Sequence, residues 1–318
     1  MKWGILGASN IARKALMPAL QRAEDTEVIA VASRSEKGAA FAKEFNIPKV
    51  YTSYEEMLAD GEIDAVYISL PNDMHKEWTI KAAEHGKHVL CEKPAAVTAA
   101  DAKDMIDACE KHNVKFLEAF MYQFHPQHQR VKDLIRSGEI GDVNLMKASF
   151  SFYLDPSADN IRLDREKGGG ALFDIGCYGL HSVFNVLESK PVTIESVADI
   201  HPEREVDLTT AISMKLENGL LAQVDCSFQQ PFKQSYEVIG TKGRITVTDA
   251  YRPDAVNEDG TGTIIIETSD GKREEAVAGD QYKLEVDTLT NAVVHNQSLS
   301  KFHEMTLTYL RAIETCQK

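Results

Sequence analysis

Lys93 closes the stretch His88-Val89-Leu90-Cys91-Glu92-Lys93-Pro94, an apolar run of strand type that ends in two opposite charges and a proline. A lysine delivered by a strand end can hold an anion or stand beside a reacting oxygen. Glu92 is placed to fix its geometry, and Pro94 suits an unusual turn or a cis peptide bond. A second group lies in Gly168-Gly169-Gly170-Ala171-Leu172-Phe173-Asp174-Ile175-Gly176-Cys177-Tyr178-Gly179-Leu180-His181. If the segment after the glycines is helical, Asp174, Tyr178 and His181 share one stripe at spacings of four and three. A carboxylate, a phenol and an imidazole on one stripe suit proton transfer. The plainer readings are a structural lysine at a strand end and a satisfied polar seam between two domains.

A third group opens the chain. Gly4-Ile5-Leu6-Gly7-Ala8-Ser9-Asn10-Ile11-Ala12 follows a strand-like run and leads into a helical one, the place of a dinucleotide fingerprint G-x-G-x-x-G/A. Gly7 takes the first position, Ser9 replaces the second glycine, and Ala12 takes the third. The Ser9 hydroxyl can donate a hydrogen bond to a phosphate oxygen at a helix N-terminus. About twenty residues past such glycines, an NAD site places Asp or Glu for the ribose 2′-hydroxyl; here the second strand ends Ala32-Ser33-Arg34-Ser35. An arginine fork matches a 2′-phosphate in charge and shape, and Lys37 adds a second cation. NADP(H) is therefore expected over NAD(H), against the plainer reading of a solvated surface arginine.

Elements of two different rhythms must position these groups. Up to about residue 120, near-continuous apolar runs at Lys2–Leu6, Val28–Ser33, Val50–Thr52, Ala65–Leu70, His88–Cys91 and Lys115–Ala119 predict strands buried on both faces. Helical stretches at Glu36–Phe45, His75–His85 and Ala99–His112 alternate with them, which predicts parallel βαβ units. Pro18 is expected to kink or restart the first helix. After about Pro126 the period becomes two: Ala148, Phe150 and Phe152 alternate with polar neighbours, as do Ile212, Met214 and Leu216. Asn218-Gly219 predicts a tight hairpin into Leu220–Phe228. Runs at Tyr236–Ile239, Arg244–Thr248 and Thr263–Glu267 extend an open, mostly antiparallel sheet, and helices near Lys283–Val294 and Lys301–Thr315 end the chain. A sheet with one face on its own helices must cover the other, so a homodimer through that sheet is expected.

Composition bounds the partners. The 318 residues are 43% hydrophobic and 26% charged, with a net charge of -14, so the surface repels nucleic acid and anionic membranes. The first apolar run breaks at Asn10 and again at Arg13-Lys14, too soon for a signal peptide, and no run reaches the ~18 residues of a membrane span. Five cysteines in no CxxC pattern speak against zinc ribbons and disulfide frameworks and favour a cytoplasmic location. His125 and His128 are three apart without a suitably spaced third ligand, so no metal is expected. Arg165, like Arg162, precedes the glycines, where either could meet an anion or simply sit in a solvated loop. The histidine at 88 reads as a strand-end core residue.

Taken together, the glycine turn Gly7 to Ala12, Leu70-Pro71-Asn72 with His75, Glu92-Lys93-Pro94 and Gly168 to Tyr178 resemble the Gfo/Idh/MocA family of NAD(P)-dependent oxidoreductases, over essentially the whole chain. The tyrosine at 178 and the run Glu118 to Pro126 are similar to the branch containing dimeric dihydrodiol dehydrogenase, D-xylose dehydrogenase and glucose-fructose oxidoreductase. Ser9 and Leu70 depart from the commoner glycine and threonine. The resemblance implies an α/β fold: an N-terminal Rossmann doubly wound parallel sheet over residues 1–122, then an α+β substrate and dimerisation domain over 123–318 with a large, open, mostly antiparallel sheet.

The resemblance also implies roles. Cofactor contacts fall to Gly7, Ser9, Asn10, Ile11, Ser33, Arg34, Lys37, Leu70, Pro71, Asn72, His75, Glu92, Lys93 and Tyr122. Substrate contacts fall to Lys93, Arg162, Asp174, Tyr178 and His181, with Lys93, Tyr178 and Asp174 catalytic. A free phenol has a pKa of about 10, and a nearby ammonium would lower it, so Tyr178 could take the proton of a substrate hydroxyl as hydride leaves for the nicotinamide. The substrate implied is a sugar, polyol or related carbonyl compound. Alternatives within the family resemblance are a redox-silent NADP-binding regulator and a glycosidase that uses NAD transiently.

Overall fold

In the computed structural model, which describes residues 1–318, β1 (Lys2–Leu6) leads through a helical segment with a π turn at Ala12–Leu16 into α1 (Met17–Arg22). The switch from π to α falls at Pro18, which lacks the N–H that a regular helix would pair. The chain continues through β2 (Glu27–Ala32), α2 (Lys37–Phe45), β3 (Lys49–Tyr51), α3 (Tyr54–Leu58), β4 (Ala65–Ile68), α4 (His75–Glu84), β5 (His88–Glu92), α5 (Ala99–Lys111) and β6 (Phe116–Ala119). The six strands lie parallel in the order β3-β2-β1-β4-β5-β6, the doubly wound order of a dinucleotide fold. β4 and β6 are buried at every position, as the near-continuous apolar runs require. Ser53 and Thr98 cap α3 and α5 by accepting from the N–H groups of Glu56 and Asp101, each cap contributing about 1 kcal/mol.

The second part begins with α6 (Pro126–Arg136), then β7 (Val143–Tyr153), α7 (Cys177–Leu187), β8 (Pro191–Ile200), β9 (Asp207–Leu216), β10 (Leu221–Ser227), β11 (Gln229–Gly240), β12 (Gly243–Val247), β13 (Gly262–Thr268) and β14 (Gly271–Val277). They form one eight-stranded sheet, β14-β13-β12-β11-β7-β10-β9-β8, antiparallel except for the β7–β10 pair. The hairpin at Asn218-Gly219 forms as expected, with Gly219 at φ 87°. α7 packs on β7 and β10. The opposite face presents Ala211, Ser213 and Lys215 to solvent, and on it Val197 and Leu221 are 79% and 52% exposed. α8 (Gln281–Val294) and α9 (Ser300–Cys316) end the chain. No helix is long and apolar enough to cross a membrane, and all five cysteines are free.

The compact units are not two consecutive segments. Met1–Met121 groups with Tyr282–Leu307, and Tyr122–Gln281 groups with Thr308–Lys318. A division into 1–122 and 123–318 therefore misplaces Tyr282–Leu307, which packs with the parallel sheet's unit, and Tyr122, which belongs to the other. The reason is that α8 and the start of α9 supply partners to the first unit: Thr306 bonds Glu118, His303 bonds the Phe116 carbonyl, and Asn296 bonds Lys115. Such partners are invisible to a reading of local periodicity.

Candidate active site

The first unit carries the nucleotide end. Gly7 stands at φ 95°, and a Cβ there would lie 3.0 Å from Leu70 Cδ2 and 3.1 Å from the Ser69 carbonyl, so the turn after β1 admits only glycine. Ser9 Oγ accepts the Ala12 N–H at 3.1 Å and so caps the helix it opens, while its own proton stays available to an anion. Asn10 and Ile11 form the first turn of that helix. Ser33 is buried at the end of β2, its N–H donating to Tyr51 O at 3.1 Å. Arg34 is exposed, but its guanidinium carbon lies 4.8 Å from the Tyr54 ring centre and 5.7 Å from that of Trp78. Stacking of this kind orients the fork without using its donors. Lys37 is exposed at the start of α2.

The second cluster of this unit surrounds Lys93 on the turn that leaves β5 at its carboxyl end, where open parallel sheets bind ligands. The Lys93–Pro94 peptide is cis. Glu92 Oε2 accepts the Lys93 N–H at 3.2 Å, and its other oxygen accepts the Tyr67 hydroxyl. Leu70 is buried, and Pro71 and Asn72 are half-buried ahead of α4. His75, fully buried, lies between two carbonyls, with Nδ1 2.9 Å from Pro94 O and Nε2 2.8 Å from Leu70 O. Burial lowers its pKa, outweighing those bonds, so the ring is neutral and donates to one carbonyl at a time. Expected as a cofactor contact, His75 has its ring nitrogens turned to the protein's own backbone. Glu285 is buried nearby; burial first, then the charges of Glu92 and Glu118, push its carboxyl well above the usual range.

The second unit carries the other group. The segment after the three glycines is helical, with a π turn at Leu172–Gly176 running into α7. Two glycines set its distance from the sheet: a Cβ at Gly176 would meet Cys226 Sγ at 2.8 Å, and one at Gly179 would meet Val224 Cγ1 at 2.5 Å. Helix and β10 touch at a spacing that side chains would prevent, and this seats Tyr178. Asp207 accepts the Leu172 N–H and the Thr210 hydroxyl, both at 2.7 Å, fastening the first turn; burial raises its pKa.

Asp174 receives Arg162 Nε at 2.6 Å. Asp174 raises the Arg162 pKa by its charge first of all, and the Tyr178 oxygen adds a smaller contribution. Arg162 is thus part of the Asp174 and Tyr178 group rather than a solvated loop cation. Tyr178 is 5% exposed, its ring 5.2 Å from Tyr251, 5.4 Å from Phe150 and 5.8 Å from Tyr122. His181 is buried one turn on, its Nδ1 2.6 Å from the Tyr122 hydroxyl. Burial, with the nearby Lys132 charge, lowers its pKa to about 3, so the imidazole is neutral. Tyr122 is fully buried, and its hydroxyl serves His181.

The histidines at 125 and 128 carry structural bonds. His125 Nδ1 accepts the Gln127 N–H and caps α6, its Nε2 meets Gly260 O at 2.8 Å, and His128 Nδ1 meets the Tyr236 hydroxyl at 2.9 Å. Sequence reasoning did not assign Glu118, Asp207 or Tyr67. Glu118 lay in a quoted run without a role, and no spacing links the other two to the sites they hold.

A glycine turn after the first strand of a doubly wound parallel sheet, with a cation stacked at the end of the second, defines a dinucleotide-binding protein. Comparison with known proteins makes this specific. Residues 1–120 match the Gfo/Idh/MocA description "Oxidoreductase family, NAD-binding Rossmann fold", and residues 128–246 match "GFO/IDH/MocA C-terminal domain". The chain is 36% identical over 320 residues to D-xylose 1-dehydrogenase (NADP(+)) 2 of Haloferax volcanii, covering 99% of this chain and 95% of that protein. It is 35% identical over 251 residues to a trans-1,2-dihydrobenzene-1,2-diol dehydrogenase of Xenopus laevis, covering 77% and 74%. A 3-ketoreductase of Actinomadura kijaniata, solved with NADP and TDP-benzene, superposes with a TM-score of 0.92 at 28% identity, covering 100% of this chain and 97% of the other. The chain belongs to the Gfo/Idh/MocA family of NAD(P)-dependent oxidoreductases.

Proposed function

We propose that this enzyme is an NADP(H)-dependent oxidoreductase moving hydride between nicotinamide and a sugar, polyol or related carbonyl compound, with Lys93 and Tyr178 as its proton-transfer pair. The observation that carries the reading is the placement of Lys93 on the turn at the carboxyl end of β5, in the unit whose Gly7 turn and stacked Arg34 fit a dinucleotide. When bound, the nicotinamide supplies or accepts the hydride. The chain's own residues do the rest. Gly7, Ser9 and the helix N-terminus at Asn10 and Ile11 receive the pyrophosphate. Ser33, Arg34 and Lys37 receive the 2′-phosphate, and the Leu70-Pro71-Asn72 loop borders the cofactor. Tyr178 takes the hydroxyl proton in oxidation and returns it to the carbonyl oxygen in reduction, with the Lys93 ammonium favouring the phenolate.

Arg162 supports the reading by adding a cation on the Tyr178 side of the chemistry, and Asp174 holds that guanidinium. His181, neutral and bonded to Tyr122, orients rather than ionises. The names of the D-xylose dehydrogenase and of the NADP-bound ketoreductase favour NADP(H) and a sugar-like substrate. The face carrying Val197, Ala211 and Leu221 is proposed as a homodimer interface, which light scattering on the purified enzyme would test.

The decisive experiment is an absorbance screen at the nicotinamide band with NADP+ against aldoses and polyols, and with NADPH against ketoses and dicarbonyls, repeated with Lys93→Ala. Turnover of at least one compound, reduced about 100-fold or more in Lys93→Ala with cofactor binding retained, is the expected result. NADPH binding with no turnover across the panel would favour a regulatory protein instead.

A further inference from the structure

Three consecutive residues around Lys93 have a backbone group facing a polar side chain, and those side chains come from separate elements. Glu92 Oε2 accepts the Lys93 N–H at 3.2 Å, the His75 ring faces the Pro94 carbonyl at 2.9 Å, and Glu118 Oε1 accepts the Ala95 N–H at 2.7 Å. Glu118 sits on β6, 3% exposed, and its second oxygen accepts the Thr306 hydroxyl of α9 at 2.5 Å. A buried carboxylate holding one backbone N–H and one hydroxyl has little freedom to shift, because moving it would leave a buried donor unpaired. A turn that carried only an exposed lysine would not require it.

We infer that Glu118 is a positioning residue for Lys93: it fixes the Ala95 end of the turn, is itself fixed by Thr306, and so sets where the ammonium stands. Glu92 fixes the other end. The inference rests on the proposed role of Lys93 and adds a residue that touches neither cofactor nor substrate. It places part of the active-site architecture in α9, more than two hundred residues from the lysine in sequence.

The test is a mutant cycle on the full chain with NADP+ and D-xylose, or with the aldose of the screen that is turned over fastest if D-xylose is not. NADPH affinity is followed by fluorescence and folding by thermal melting. Glu118→Ala is expected to lower kcat about tenfold or more, with KM and NADPH affinity within about threefold of wild type, since a displacement near 1 Å suffices for such losses. The Lys93→Ala/Glu118→Ala double variant should be no slower than Lys93→Ala alone, because Glu118 acts through the lysine. Glu118→Gln, which keeps an oxygen for the Ala95 N–H, should recover part of the loss.

A folded Glu118→Ala with kcat within about twofold of wild type overturns the inference, as do losses that multiply in the double variant. If Glu118→Ala does not fold, Thr306→Val decides: a loss of roughly two- to fivefold in kcat that vanishes in a Lys93→Ala background supports it, and an unchanged kcat ends it. Undiminished turnover in Lys93→Ala would remove the role of the lysine and this inference with it. Loss in Lys93→Ala without loss in Glu118→Ala would remove the inference alone.

Discussion

Gly179→Ala probes the seating of Tyr178 without touching any polar group. The added methyl would sit 2.5 Å from Val224 Cγ1, well inside contact distance, and Val224 is 2% exposed on β10 with nowhere to retreat. Overpacking of this kind costs about 1–3 kcal/mol, which in a unit of this size lowers the melting temperature by roughly 2–12 °C. The only ways to relieve the contact are to lift α7 from the sheet or to turn it, and either moves Tyr178, one residue away. Activity should therefore fall more than stability explains, mainly in kcat. Val224→Ala by itself should cost about 1–3 kcal/mol for the lost side-chain carbons and the cavity they leave. In the double variant the new methyl occupies the space of the old one, so the pair should be coupled by at least about 1 kcal/mol and kcat should partly return. The assay is urea or thermal unfolding of the four proteins together with their steady-state kinetics. Strictly additive stabilities, or a Gly179→Ala enzyme with the melting temperature of the wild type, would refute the argument that this glycine sets the helix-to-sheet spacing.

Two other outcomes follow from features of the first unit and from the buried histidines. Arg34→Ala should weaken NADPH binding by about 10–150-fold, the worth of a hydrogen bond to a charged group, and leave NADH affinity nearly unchanged; equal weakening of both cofactors would remove Arg34 from 2′-phosphate recognition. Burial lowers the pKa of His75, His125, His128 and His303 as well as that of His181, which falls to about 3. Groups with depressed folded-state values bind protons in the unfolded chain first, so their contribution is complete above the unfolded value of about 6.5 and is lost as pH falls. Urea unfolding at pH 7 and pH 5 should show lower stability at pH 5, the five histidines outweighing the opposite contributions of Glu285 and Asp207, whose carboxyls burial raises; greater stability at pH 5 would contradict the neutral, buried histidines.

Much of the fold was legible because its strands announce themselves by burial. β1, β2, β4 and β5 are apolar runs bounded by glycine, serine or charge, and the reading placed them within a residue or two. Among the elements not read, three have a plain physical reason. β14, Gly-Lys-Arg-Glu-Glu-Ala-Val, is a charged edge strand with no dry face to mark a period. β8 is mostly exposed along its length, so alternation is faint there too. α6 begins at a histidine cap and a proline rather than at serine, threonine or aspartate. For the candidate site residues, types and spacing pointed to Lys93, Asp174 and Tyr178, since strand-end lysines and helical stripes are local patterns. The Arg162–Asp174 ion pair and the Glu118 bonds were not legible, because each depends on segments brought together only by the tertiary fold.

The discontinuous first unit has a consequence for how the protein is made. Synthesis delivers β1 to β6 first, yet the residues that bond Glu118, Phe116 and Lys115 lie at Thr306, His303 and Asn296 and leave the ribosome only after the whole eight-stranded sheet. The nucleotide-binding sheet therefore waits, with its β6 edge incomplete, until those later segments have been made. A fragment cut after residue 122 lacks part of its own core, so excising the parallel sheet as a free-standing nucleotide-binding module calls for grafting Tyr282–Leu307 back onto it.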